Sequence, residues 1–72
     1  MHKAVLIFEH TWYGYDGDSS REDTVVLTAD NQAVLNHLIE KECRNKVTTQ
    51  YGDFGLMTHQ CVLKSTDTFE TK

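Results

Sequence analysis

Lys3-Ala4-Val5-Leu6-Ile7-Phe8-Glu9-His10 is the most apolar stretch of the chain, and its reading decides the fold. Side chains alternate across an extended strand, so Ala4, Leu6 and Phe8 face one way and Val5 and Ile7 the other. A run apolar on both sides suits a central strand covered at least partly on each face. Thr11-Trp12-Tyr13 carries the strand on, because β-branched and aromatic residues favour the pleat.

Outward from that strand, Gly14-Tyr15-Asp16-Gly17-Asp18-Ser19-Ser20-Arg21-Glu22 reads as a loop built on the turn dipeptide Asp16-Gly17. Asp23-Thr24-Val25-Val26-Leu27-Thr28 then reads as a short strand, giving a β-hairpin with a long tip. The spacing predicts a helix over 29–44, ending at Asn45, with Thr28 or Asp30 as its N-cap. Val34, Leu35, Leu38 and Ile39 form one apolar stripe, Cys43 extends it, and Leu38 is expected at its buried centre. Asn36, Glu40, Lys41 and Arg44 fall off the stripe, the two cations near the C-terminus where the dipole favours them. Beyond it, Val47-Thr48-Thr49-Gln50-Tyr51 is a candidate strand and Gly52-Asp53-Phe54-Gly55 a turn. Leu56–Lys64 is a firmer strand, with Met57, Cys61 and Leu63 on one face. Ser65–Lys72 is polar and is expected to fray, with Phe69 its only anchor.

The order is β-β-α-β-β. It predicts an α+β fold: a three- to four-stranded antiparallel sheet with one amphipathic helix on one face. Residues 1–72 make one small domain, without internal repeat, linker or low-complexity block. Leu, Ile, Val and Phe contribute 17 of 72 residues, about 24%, above the ~20% below which chains are usually disordered. The core is nevertheless thin, since a domain this size buries only about 60% of the surface its unfolded chain exposes. Nine threonines, mostly outside the helix, and no proline favour strands.

Net charge is −4, from 7 Lys+Arg against 11 Asp+Glu. That disfavours direct contact with nucleic acid or an anionic membrane. No apolar run is long enough to cross a bilayer. Ala4–Phe8 is too short for the core of a secretion signal, which leads to the expectation of a cytoplasmic protein. Cys43 and Cys61 are too few for a disulfide scaffold and read as reduced thiols acting as small hydrophobes. A disulfide or metal ligation are the alternatives.

Each motif that could carry chemistry has a simpler reading. Asp16-x-Asp18-x-Ser20 matches the opening of a calcium loop, whose hard cation wants oxygens at alternate positions. Arg21 then stands where the glycine belongs and Leu27 where the bidentate glutamate belongs, leaving a solvated acidic tip. His10, His59, Cys43 and Cys61 are zinc-type ligands, but no CxxC or HxxxH spacing joins them. Cys61 and His59 share a strand face about 7 Å apart, too far for a thiol and its base. Ser19 and Ser20 lack the glycine-flanked turn of a hydrolase nucleophile. Asp53-Phe54-Gly55 spells a kinase tripeptide in a chain too short for a kinase. No cofactor, no metal and no catalytic residue are expected, and the chain is read as not an enzyme.

The remaining cluster is Trp12, Tyr13 and Tyr15 leading into Asp16, Asp18, Glu22 and Asp23. Residues 14–23 carry four acids and Arg21, a local charge of −3. Large aromatics are enriched at protein interfaces, and neighbouring carboxylates steer a surface toward a basic partner. These seven residues are the expected partner-binding site. The simpler alternative packs Trp12 under the sheet and leaves the loop merely soluble.

By size, acidity and organisation the chain resembles the small proteins that phages and mobile elements encode to inhibit host machinery, anti-CRISPR proteins above all. The resemblance covers general architecture across the whole chain and carries over no functional residue. It implies an inhibitor that blocks a basic surface on a host nucleic-acid-handling complex, in the host cytoplasm. The alternatives are a regulatory or accessory subunit that homodimerises through a sheet edge and, third, a weak metal- or ligand-binding domain.

Overall fold

The computed structural model describes residues 1–70. Strand β1, His2–Trp12, is central, as its two-sided apolar pattern requires. Strand β2, Ser19–Ala29, returns beside it, followed by helix α1 over Gln32–Lys46. Strand β3 covers Thr48–Tyr51, a single 3-10 turn covers Asp53–Gly55, and strand β4 runs Met57–Glu70. The sheet is four-stranded and antiparallel, in the order β2-β1-β4-β3. One helix lies on one face of it. The α+β fold and its β-β-α-β-β order are as expected.

Three boundaries move. Residues 19–22, read as loop, extend β2, because the register continues down to Trp12 opposite Ser19 and each added pair gains ladder hydrogen bonds. The helix begins three residues and ends two residues later than expected. Asn31 is its N-cap, its side-chain oxygen accepting from the Val34 N–H at 2.8 Å, in place of Thr28 or Asp30. The third change is the largest: residues 65–70 do not fray but pair with His2–Ile7 as the second half of β4. Residues 71 and 72 of the expected tail lie outside the described residues.

A β-bulge makes that pairing fit. Ile7 opposes Ser65 and Phe8 opposes Leu63, so Lys64 is the extra residue and β4 changes phase there. Cys61 and Leu63 face the helix before the bulge; Thr66 and Thr68 do so after it, and Asp67 and Phe69 turn to the open face. Without the bulge, Asp67 would stand beside Ala4 and Leu6 in the core.

Ala4, Leu6, Phe8, Leu35 and Cys61 are fully buried, with Val25, Leu27, Ile39, Cys43 and Leu63 packed around them. The helix therefore presents Leu35, Ile39 and Cys43 to the sheet. Leu38 is only half-buried and Val34 is 46% exposed, a correction to the expected stripe. The reason is placement: α1 packs against β1 and β2 and touches β4 less, so one flank of its stripe has no strand beneath it. The molecule is a long thin slab, 50 × 18 × 10 Å, with a radius of gyration of 15.2 Å. A globular chain of this length would have a radius near 11 Å. The strands extend past the helix, and the uncovered end is where the candidate functional residues gather.

Candidate functional site

Helix α1 ends over Phe8, where the Lys46 ammonium sits 5.8 Å from the ring centroid. Beyond that point the same sheet face carries His10 and Trp12 from β1, Asp23 from β2, and His59 and Cys61 from β4. Register puts them there, since His10 opposes Cys61 and Trp12 opposes His59. The three rings stack: His10 on Trp12 at 5.5 Å, His10 on His59 at 5.2 Å, Trp12 on His59 at 5.0 Å between centroids. Stacked aromatics thus replace the helix as a lid on this end of the core.

Hydrogen bonding places one proton on His10. His10 Nε2 lies 2.9 Å from the Asp23 carboxylate, which can only accept, so this nitrogen carries the proton. His10 Nδ1 lies 3.0 Å from His59 Nε2, and in a neutral His10 ring it is the acceptor of that contact. Cys61 Sγ also approaches His10 Nε2, at 3.6 Å. The composition is that of a nucleophile, a base and an orienting carboxylate. The connectivity is not, because thiol and carboxylate meet the same nitrogen, whereas such a relay uses opposite ones. The thiol's neighbour is cross-strand His10, which the spacing argument, limited to His59, missed.

Burial pushes the Cys61 thiol above its ordinary 9.0, with nearby Asp23 adding to the rise and Lys46 opposing it. Native protein at pH 8 is therefore expected to leave Cys61 unmodified by iodoacetamide, while urea-unfolded protein is modified. Rapid labelling of the native chain, read by mass spectrometry, would contradict this. A folded pKa above the unfolded one means the thiol's contribution to stability is whole below pH 9.0 and is lost as pH rises through the folded value. Among the described residues no group of three or more His, Cys, Asp or Glu side chains is placed to hold a metal ion. The two His10 nitrogens point to different neighbours instead.

At the extreme tip, the β1–β2 turn and the β3–β4 turn lie side by side, tied by the Tyr13 N–H donating to the Thr58 carbonyl at 3.0 Å. Between them runs an open groove of about 750 Å³, lined by Tyr13, Tyr15, Asp53, Phe54, Leu56 and Met57 among others. Tyr15 and Phe54 are 107% and 99% exposed, more than solubility of a small acidic chain calls for. Phe54 also sits at φ 63°, a left-handed conformation that side chains rarely adopt, followed by Gly55 at φ 73°. Strain of this kind persists where surrounding structure imposes it and clusters at functional positions.

The seven expected partner-binding residues are thereby distributed. Tyr13 and Tyr15 line the groove, and Asp16 and Asp18 sit in the exposed turn beside it. Trp12 belongs to the histidine stack, on the helix-side face. Glu22 and Asp23 are strand residues on opposite faces. Asp23 binds His10, while Glu22 binds Lys64 on the open face and holds that ammonium above its usual range. Phe54, Leu56 and Met57, which complete the groove, read in the sequence only as turn and strand residues. The available signal was an aromatic residue set between two glycines, in Gly52-Asp53-Phe54-Gly55. No helix of the described residues is long and apolar enough to cross a membrane. Compared with protein-family models, with curated proteins and with solved structures, the chain matches none.

Proposed function

We propose that this chain is a protein-binding module whose tip groove grips a basic protein surface. The observation that carries the reading is the pair of turns presenting Tyr15 and Phe54, both essentially fully exposed, over a groove of about 750 Å³. Such rings supply contact area at small entropic cost and are over-represented among binding hot spots. Asp53 lines the groove, Asp16 and Asp18 are exposed in the connection that carries Tyr15, and with a net charge of −4 they favour an approaching cation-rich surface. In its finer form the proposal is inhibitory: the chain occupies a basic surface of a host nucleic-acid-handling complex in the cytoplasm, in the manner of an anti-CRISPR protein. General resemblance in size, acidity and organisation supports that form. Binding rather than catalysis is the role, in line with the connectivity at His10.

The test is affinity purification with mass spectrometry, followed by binding kinetics on the recovered complex. Tyr15→Ala and Phe54→Ala are expected to weaken binding by more than about 1 kcal/mol each, mainly through faster dissociation. Asp16→Asn with Asp18→Asn should slow association and flatten its salt dependence. If all of these variants stay folded and bind as the parent does, the tip is not the site.

A further inference from the structure

We propose that this chain pairs with a second copy of itself through the outer edge of β2, across a two-fold axis at Val26. β2 is an edge strand of the sheet, and among the described residues no hydrogen bond reaches its outer side. Natural edges are usually blunted by lysine, proline, a bulge or a covering element. Thr24-Val25-Val26-Leu27-Thr28-Ala29 has none of these. It is six neutral residues of high strand preference in a chain that is one-quarter charged.

Register and helix position select the axis. An axis at Glu22 would set two carboxylates against each other. One at Val26 opposes Val26 to its copy, Val25 to Leu27 and Thr24 to Thr28, with no charged pair. Val26 is 54% exposed in the single chain. The helix starts just past Ala29 and ends over Phe8, whose β2 partner is Asp23. Its middle therefore lies level with Val26, and the two-fold brings helix beside helix along their whole length. Each helix rests over β1 and β2. With strands about 4.8 Å apart, the two axes fall about 10 Å from each other, a normal helix–helix distance. Val34 and Cys43 are about two and a half turns apart, hence on opposite flanks. Cys43 reaches the core toward β4, so half-exposed Val34 and half-buried Leu38 flank the β2 side, where the copy's helix would cover them. Both tips stay free and point in opposite directions.

The experiment is mass in solution over a concentration series up to millimolar, on the intact chain and on two variants. The parent is expected to reach the mass of two chains. Val26→Lys places like charges across the axis at an already exposed position; it should remain folded by circular dichroism and shift to the mass of one chain. Val26→Cys should form an intermolecular disulfide on mild oxidation, since only a residue on the axis meets its own copy at bridging distance. Parent that stays at single-chain mass overturns the proposal. So does a dimer that survives Val26→Lys, or Val26→Cys that fails to cross-link. Tyr15→Ala should leave the mass unchanged, which separates this surface from the tip.

Discussion

Phe8→Ala is expected to abolish cooperative thermal unfolding, leaving a chain without a measurable midpoint at room temperature. Among the described residues Phe8 is one of five that are fully buried, and it joins Leu6 and Cys61 at the centre of the core. Truncating a buried phenylalanine costs about 3–5 kcal/mol. At roughly 0.05–0.15 kcal/mol per residue the whole domain has about 4–11 kcal/mol to lose. Relaxation into the cavity offers little relief, because one side of the ring meets the sheet and the other the end of α1. His37→Ala, at an exposed position of α1 outside the core and the β2 flank, is the control and should change stability by no more than about 0.5 kcal/mol. Circular dichroism melts on both variants decide it. A Phe8→Ala midpoint within a few degrees of the parent would mean that the core lies elsewhere.

Ending the chain at Lys64 is expected to be nearly as damaging. A frayed polar tail could be removed without consequence. Residues 65–70, however, form one of the two ladders that flank His2–Ile7, and their loss strips the strand on which the fold is built. Backbone groups of β1 that now bond to β4 would face water, and Ala4 and Leu6 would lose Thr68 and Thr66 as neighbours on the helix side. Amide hydrogen exchange reads the effect directly. In the parent, His2–Ile7 should be among the most protected amides; in the shortened chain they should exchange at rates approaching those of an unfolded peptide. Unchanged protection would show that β2 alone holds β1.

Some of this was legible from residue order because it is local. The two-sided apolar run 4–8 announced a central strand, since burial on both faces leaves no room for polar alternation. Val34, Leu35, Leu38, Ile39 and Cys43 announced a helix through their 3.6-residue period, though not which of them it buries, and Gly52-Asp53-Phe54-Gly55 announced a turn through glycine's freedom at positive φ. Tyr13 and Tyr15 were marked as binding residues by their company of acids and turn residues, and they line the groove. The rest depended on partners far away in the chain. Ser65–Glu70 carries hardly any apolar signal, so its role rests on backbone hydrogen bonds to β1, which no side-chain pattern encodes. A one-residue bulge at Lys64 sets which of its side chains face in, and that is a matter of register. Glu22 and Asp23 are adjacent in sequence yet sit on opposite faces, bound to Lys64 and His10. The groove and the histidine stack exist only because β4 lies beside β1 in antiparallel register. Residue order determined the elements, whose causes are propensity and period. Only the tertiary structure decided which side chains share a surface, because long-range pairing sets neighbours that sequence distance leaves open.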